Sequence, residues 1–310
     1  MKRAKKHSQT KIRLQKFNIF AIALFIFIVA FFFVTLLSGL FRGGNEQGAS
    51  PAPLTGQRIN LLITGLDQDN LRTDLIMIAS LDTATKKVDI LSIPDNTRMY
   101  VGGRYQKISA AHAIKSGNEQ KGISGTIDAL NRLTAIPLNY YIEFSQDAFE
   151  EFIDNLGGMD FYVQQRMKYK DSFGGTSINL KKGEQTLDGK NALDLVRFAS
   201  YSDGLIMRSY TQQDFCIALA EQKLNPEYIK DFPKLSEELN IKTNLKANDI
   251  IKYSNMMLEL TSDNITFHTL PGHAEKSSVT YWIPDLDLLK ILINDVFGYD
   301  AENITTDKVQ

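Results

Sequence analysis

The sequence is poor in the residues that build disulfides and zinc sites. Its 310 residues include one cysteine, Cys216, and four histidines. A single cysteine excludes an intramolecular disulfide, and without a His/Cys cluster a zinc site is not expected. Cys216 stands in the apolar stretch 215–219, so we predict a small buried core residue. The formal net charge is only −1, so no large field steers the chain towards an anionic polymer.

The N-terminal part lacks acidic residues and then lacks charge altogether. Met1 to Lys16 include seven Lys/Arg and no acid, and Ile19 to Leu37 form an uncharged apolar run. About 20 apolar residues cross the roughly 30 Å of a bilayer core as a helix, and a basic flank stays in the cytoplasm. We therefore predict a cytoplasmic tail (1–16) and one transmembrane anchor (17–41). The bulk of the chain would then lie outside the cytoplasmic membrane.

Two other interpretations of this segment are weaker. A cleaved signal peptide has a shorter apolar core, about 7–15 residues, and a small-residue cleavage site, which Ser38–Arg42 does not resemble. A nucleic-acid-binding patch would need a folded module, which so short a basic tail cannot hold. We expect a retained anchor and no nucleic-acid partner.

The remaining chain is predicted to be a flexible linker (42–58), one folded domain (59–300) and a tail (301–310). Apolar patterning indicates strands at 59–64, 75–81, 88–93, 140–144, 159–163 and 265–270. The polar segment 168–182 is predicted to be a loop, with an isolated strand at 178–180 as an option. Helices are predicted at 108–114, 123–133, 148–155, 190–198, 208–223, 246–260 and 286–296. Strands interleaved with helices predict an α/β fold, an α-β-α sandwich.

Charged residues stand at the ends of the first two predicted strands. Asp67 follows the first strand, and Arg72 and Asp74 precede the second. Two neighbouring carboxylates could hold Mg²⁺, and arginine forks make paired bonds to phosphoryl oxygens. The residues that could bind a phosphate are Arg72, Lys107, Arg197, Arg208 and Gln212. Spacing alone leaves simpler roles open, because such residues also shape turns, end helices or lie on surfaces.

Several motifs in a fixed order resemble the LytR-CpsA-Psr (LCP) family, also known as the cell envelope-related transcriptional attenuator domain. The matching segments are 60–67, 72–77, 88–94, 107–113, 140–142, 154–159, 187–193 and 196–197, then Arg208 and Gln212. A looser similarity at 270–272 and 281–285 extends the resemblance towards the C-terminus.

The resemblance implies an extracytoplasmic phosphotransferase that moves a glycopolymer from a polyprenyl-pyrophosphate carrier to peptidoglycan. It implies an α-β-α sandwich with a mixed central sheet and an apolar cavity that binds the lipid. Asp67 and Asp74 would hold Mg²⁺, and cleavage of the pyrophosphate would drive the reaction without ATP. The catalytic residues would be Arg72, Arg197, Arg208 and Gln212.

The chain departs from the family pattern at residues that face the phosphate. The departures are Asp95 and Asn96 in place of Arg-Asp, and Ala199 and Thr211 in place of two further arginines. We expect Asp95 to add a repulsive charge, and Arg98, Arg104 and Lys107 to bind the substrate. Losing one charge-stabilising donor typically lowers the rate by about 10²–10³. Two hypotheses follow: a transferase with a partly degraded arginine site, or a non-catalytic scaffold or lipid-linked glycan-binding relative.

The anchor makes a prediction about topology. Protease added to intact spheroplasts should digest the domain after the anchor, because the basic tail holds only the N-terminus inside. Epitope tags at the two ends would be followed by immunoblotting, with a cytoplasmic protein as the lysis control. Loss of the C-terminal tag with that control intact is expected, whereas full protection of both tags would contradict the topology.

Overall fold

The computed structural model describes residues 58–305 except 118, 171–176, 203, 224–237, 240, 246–263 and 277. The predicted cytoplasmic tail and anchor, nearly all of the linker and the predicted helix at 246–260 lie outside the described residues. Across the described ranges, no helix combines the length and the apolar character needed to cross a membrane.

Regular structure begins at Arg58 and alternates between strands and helices. The strands, in chain order, are β1 (Arg58–Leu66), β2 (Thr73–Asp82), β3 (Lys87–Ser92), β4 (Arg98–Val101), β5 (Arg104–Lys107), β6 (Lys115–Ser116), β7 (Glu119–Gln120), β8 (Tyr140–Phe144), β9 (Met159–Val163), β10 (Met167–Lys170), β11 (Ser177–Leu180), β12 (Gly183–Leu187), β13 (Lys242–Thr243), β14 (Ile265–Thr269), β15 (Gly272–Lys276) and β16 (Thr280–Pro284). The helices are α1 (Ile123–Thr134), α2 (Gln146–Asn155), α3 (Gly189–Arg197), α4 (Ile206–Lys223) and α5 (Leu286–Leu292). A 3₁₀ turn covers Ile108–Ala111, and α5 continues as a π-helical turn over Ile293–Phe297.

A mixed sheet forms the centre of the domain, as the family resemblance implies. Its strand order is β13-β8-β1-β2-β3-β14. The pairs β1–β2 and β2–β3 are antiparallel, whereas β8 runs parallel to β1 and β14 runs parallel to β3. The C-terminal ends of β1, β3 and β8 therefore lie at the same edge of the sheet as the N-terminal end of β2.

Helices cover both faces of this sheet. Successive side chains of a strand point to opposite faces. On one face Leu62 packs with Leu130 of α1 and Leu289 of α5. On the other face Ile63 belongs to a cluster that Cys216 of α4 joins. Helices α2, α3 and α4 share a further cluster with the pairs β9–β12 and β10–β11. The predicted α-β-α sandwich is confirmed.

Side-chain caps fix where three of the helices begin. Ser145, Asp188 and Asp285 each accept a hydrogen bond from the backbone N–H three residues later. Such caps satisfy backbone donors that have no partner within the helix. The cap at Ser145 places Gln146 in the first position of α2, two residues before the start predicted from the sequence.

The hairpins outside the main sheet were not predicted. In the loop predicted at 168–182, β11 pairs with β10, and β4–β5 and β15–β16 form two further hairpins. These strands are short and carry many exposed polar residues, so they lack the apolar alternation that marks a strand. Ala301 and Ile304, at the start of the predicted tail, are buried in the core that α5 shares.

Adjacent leucines on α5 give a matched test of this packing. Leu289 is fully buried, whereas Leu288 is 53% exposed. Leu289→Ala should lower the free energy of unfolding by about 2–5 kcal/mol, because it removes buried methyl groups and leaves a cavity. Leu288→Ala should change it by less than about 0.5 kcal/mol. Urea denaturation followed by circular dichroism measures both; equal effects would contradict this packing of α5.

Candidate functional site

Charged side chains from distant parts of the chain meet at the sheet edge where β1, β3 and β8 end. Asp74 stands in β2 and Asp95 follows β3, while Arg197 ends α3 and Arg208 lies in the first turns of α4. Gln212 follows one turn after Arg208 on the same helix. We call these five residues the charged cluster.

Direct contacts hold the charged cluster together. The Nε of Arg197 lies 3.7 Å from an Asp74 carboxylate oxygen. Arg208 donates a hydrogen bond from Nη2 to the Asp95 carboxylate and forms an ion pair with it. The side-chain amide of Gln212 donates to the backbone oxygens of Asp74 (3.3 Å) and Val196 (3.1 Å). Gln212 and Asp74 are 138 positions apart in the sequence, so the fold brings together residues that local spacing cannot relate.

Burial and charge act in opposite directions on this cluster. Burial raises the pKa of Asp74 above its ordinary value, with Asp95 and Asp67 adding to the rise while Arg208 and Arg197 oppose it. Burial by itself lowers the pKa of Arg208, but the carboxylates of Asp95 and Asp74 outweigh it and raise that pKa overall. Arg208 therefore stays charged in a buried position because two carboxylates stand beside it.

Asp67 and Arg72 belong to the loop that joins β1 to β2. The Asp67 carboxylate accepts hydrogen bonds from the backbone N–H groups of Leu71 (2.8 Å) and Arg72 (3.1 Å). Asp67 therefore shapes the turn, which was one of the alternatives left open by the sequence. Its charge also reaches Asp74, since it adds to the burial-driven rise in the pKa of that residue. Arg72 is exposed at this edge.

The three other predicted substrate-binding residues lie on the β4–β5 hairpin. Arg98 stands opposite Lys107 in the hairpin, and its guanidinium lies 4.6 Å from the centre of the Tyr105 ring. Arg104 is exposed near the tip. Within the described residues, no hydrogen bond or ion pair joins these side chains to the charged cluster. The role of Arg98, Arg104 and Lys107 in binding the substrate stays a prediction.

An apolar cavity of about 140 Å³ opens beside the charged cluster. Three members of the charged cluster, Asp74, Arg197 and Gln212, lie in its wall. Most of the other lining residues are apolar, and they include Ile63, Leu66, Leu75, Ile142, Phe144, Phe149, Phe152, Leu193, Phe215, Leu219 and Ile241. Cys216 also lines the cavity, and burial raises the pKa of its thiol to about 12. The thiol is therefore protonated at neutral pH. Cys216 is half-buried and packs against a core cluster, so it is less enclosed than the predicted core residue because it borders the cavity.

Two residues at positions of lost arginines have partners of their own. Asp95, expected to repel phosphate, is instead the ion-pair partner of Arg208, 113 positions away. Thr211 shares a hydrogen bond of 2.8 Å with the Tyr201 hydroxyl. Sequence reasoning missed the Asp95 pairing because no local pattern connects the two positions.

Asp67 and Asp74 are the carboxylates that could hold a metal ion here. In the part of the chain that the structure describes, no three His, Cys, Asp or Glu side chains gather into a metal-binding group. Mg²⁺ does not need such a group, because it is usually held by one or two carboxylates with water and phosphate oxygens. The two carboxylates therefore fit Mg²⁺ if the ligand supplies phosphate oxygens.

Comparison with known proteins gives a consistent result. A sequence profile of the LytR_cpsA_psr family matches residues 44–295. The polyisoprenyl-teichoic acid–peptidoglycan teichoic acid transferase TagU of Bacillus licheniformis is 26% identical over 229 residues, 72% of this chain and 71% of that protein. TagV of Bacillus subtilis, a transferase of the same description, is 26% identical over 248 residues, 76% of this chain and 62% of that protein. The chain thus spans less than two thirds of TagV.

Solved structures share the fold. The crystal structure of TagV superposes with a TM-score of 0.62 at 22% identity, covering 80% of this chain and 97% of that one. A structure of TagT bound to LI-WTA gives a TM-score of 0.59 at 22% identity, covering 83% of this chain and 100% of that one.

The Asp95–Arg208 pair can be tested through stability. The two side chains are only 12% and 14% exposed, so Asp95→Ala leaves a buried guanidinium with one carboxylate fewer. We expect the free energy of unfolding to fall by about 3 kcal/mol. Adding Arg208→Met removes the stranded charge and should recover most of that loss. Denaturant titrations of the wild type, both single variants and the double variant give the coupling between the two residues; additive effects would contradict the pairing.

Proposed function

The chain belongs to the LytR_cpsA_psr family, and on that premise we propose that it is a membrane-anchored extracytoplasmic transferase. It would move a glycopolymer from a polyprenyl-pyrophosphate carrier to peptidoglycan. Its place would be the cytoplasmic membrane, with the N-terminal helix as anchor and the domain outside. The names of TagU and TagV, which describe transfer of polyisoprenyl-linked teichoic acid to peptidoglycan, support this function.

The observation that carries the proposal is the apolar cavity with Arg197 in its wall, next to a cluster that also contains Arg208. Its ligand should combine an apolar chain with an anionic head, and a prenyl phosphate has both parts. The volume of about 140 Å³ is close to that of a cavity of about 150 Å³ that holds benzene. It can therefore enclose about one isoprene unit next to the head, and the rest of a polyprenyl chain would extend beyond it.

The proposed reaction is an exchange of phosphorus–oxygen bonds. A hydroxyl of peptidoglycan forms a bond to the phosphorus that carries the glycopolymer. The bond from that phosphorus to the bridging oxygen breaks, polyprenyl phosphate leaves with the electron pair, and the hydroxyl proton passes to water. Arg197 and Arg208, together with the exposed Arg72, would stabilise the phosphoryl oxygens as charge develops on them. Gln212 would position Asp74 and the end of α3 through its two backbone contacts.

We propose Mg²⁺ as the cofactor, held by Asp67 and Asp74. The ion would neutralise charge on the pyrophosphate and polarise its oxygens. The protein supports this assignment in two ways. Both residues stand at the same sheet edge, and each carries the hard oxygen ligands that Mg²⁺ prefers.

A non-catalytic scaffold is the second candidate, and one observation favours it. Arg208 is already paired with Asp95, and Ala199 and Thr211 leave two further arginines of the family pattern absent. A protein of this kind would bind a lipid-linked glycan without transferring it. The partly degraded arginine site therefore remains part of the proposal for either function.

Transfer by the purified full-length protein tests the proposal. Lipid-linked teichoic acid and peptidoglycan would be incubated with Mg²⁺, and released polyprenyl phosphate measured. Arg197→Ala should lower the rate at least about 100-fold, because a donor to the developing charge is lost. Asp95→Arg with Ala199→Arg should raise it at least about tenfold, about 1.4 kcal/mol in the barrier. Because Asp95→Arg also removes the ion-pair partner of Arg208, the rate is compared only for protein that thermal unfolding shows to be folded.

Arg132→Ala serves as the control variant. Arg132 lies on α1, where it binds the backbone oxygen of Tyr100, and its loss should leave the rate unchanged. A wild-type rate of zero that the double change does not raise would contradict catalysis. Retained binding of the lipid-linked glycan in that case would favour the scaffold.

A further inference from the structure

One polar side chain in the cavity wall has a hydrogen-bond donor that no residue in the described part of the chain accepts from. Gln146 is the first residue of α2, lines the cavity and is only 9% exposed. Its side-chain nitrogen Nε2 is buried, and among the described residues it has no hydrogen-bond partner. Leaving such a buried donor unpaired lowers the stability of the protein, because the nitrogen loses its hydrogen bonds to water and gains none in return. A ligand that brings an acceptor oxygen into the cavity would remove that penalty.

The other side chains in the wall that hydrogen-bond strongly already have partners. Asp74 pairs with Arg197, Gln212 donates to two backbone oxygens, and the hydroxyl of Ser145 accepts from Ala148. Gln146 is thus an uncharged donor in the described wall whose side-chain nitrogen has no protein partner, and it could act on a ligand beside the guanidinium of Arg197.

The sheet places Gln146 near the charged cluster. Gln146 stands two positions after Phe144, the last residue of β8. Phe144 pairs with Gly65 of β1, and Gly65 pairs with Leu75 of β2, which is next to Asp74 in the sequence. Adjacent strands are about 4.8 Å apart, so two strand spacings separate these positions by about 10 Å. A phosphorylated head held by Arg197 would therefore lie close enough to reach Gln146 as well.

The helix that Gln146 begins also favours an anion. The ten-residue helix α2 points its N-terminus at this edge, where backbone N–H groups carry partial positive charge. The next residue, Asp147, is exposed to solvent. The buried amide and the helix end together suit an oxygen that carries negative charge better than they suit a neutral hydroxyl.

We propose that Gln146 is a specificity-determining residue whose Nε2 donates to a phosphate oxygen at the head of a prenyl chain. The assignment rests on the proposed function of the cavity and adds to it the means of distinguishing a prenyl phosphate from a prenyl alcohol. The arginines hold the outer part of the head, and Gln146 binds the oxygen nearest the apolar wall.

Calorimetric titrations of the full-length protein with three probes test the role of Gln146. The probes are farnesyl pyrophosphate, farnesyl phosphate and farnesol. Gln146→Met keeps the size of the side chain but removes the donor, so both phosphates should bind about tenfold more weakly while farnesol binding stays within twofold. Gln146→Glu places a carboxylate at the same point and should weaken both phosphates further. The exposed Gln120→Met, on β7, serves as the matched control and should leave all three affinities unchanged.

The outcomes separate this inference from the function on which it rests. Equal weakening of all three probes would mean that Gln146 only packs the wall, and unchanged affinities would mean that it does not touch the head. Either result overturns the inference while leaving the proposed function in place, provided that Arg197→Ala weakens the phosphates. If the wild type binds neither phosphate, both proposals fail. Thermal unfolding of each variant shows whether the fold is intact; should Gln146→Met unfold, Gln146→Glu alone decides between the outcomes.

Discussion

The pairing of β1 with β2 on one side and β8 on the other decides where the functional groups of this protein lie. Because β2 is antiparallel to β1 and β8 is parallel to it, the end of β1, the start of β2 and the end of β8 share one edge. That edge carries Asp67, Asp74 and the start of α2. A one-residue slip of β1 would exchange the residues on its two buried faces, including the polar Asn60 and Thr64, and would shift Asp67 relative to Asp74. The cavity wall depends on the same register, since Ile63 and Gly65 of β1 line it.

Much of this architecture could be predicted from the sequence because it rests on local patterns. The buried strands β1, β2 and β3 are continuous apolar runs, and α1 and α2 carry apolar residues on one face with a recognisable cap at Ser145. The β4–β5 hairpin was missed although Gly102 and Gly103, both with positive φ, form its turn. Paired glycines are a hairpin signal, but the flanking strands bear exposed arginines and tyrosines rather than an apolar alternation.

The site was predictable in its residue types and less so in its contacts. Asp74, Arg197, Arg208 and Gln212 were proposed through the order of family motifs, and the structure places them together. Asp95 was expected to act on the ligand alone, because a sequence gives its charge but not its partner. Gln146 carried no signal at all, since a glutamine after a helix cap is usually a surface residue. Its burial follows from the packing of α2 against the sheet, which only the tertiary structure contains.

The charge balance of the cluster bears on how a phosphate could bind. Together with the loop residues Asp67 and Arg72, the charged cluster contains three aspartates and three arginines, so the site has no net charge of its own. The aspartates are Asp67, Asp74 and Asp95, and the arginines are Arg72, Arg197 and Arg208. A pyrophosphate head would bring at least two negative charges into a partly buried place. To bind Arg208 the head must displace Asp95, and the Asp95 carboxylate would then lose its ion-pair partner.

A divalent cation held by Asp67 and Asp74 next to the head would restore neutrality. An arginine at position 95 would supply part of the same charge from the protein. Under the proposed function, Asp95 therefore makes binding of the carrier depend more strongly on the cation than it would in a site that follows the family pattern.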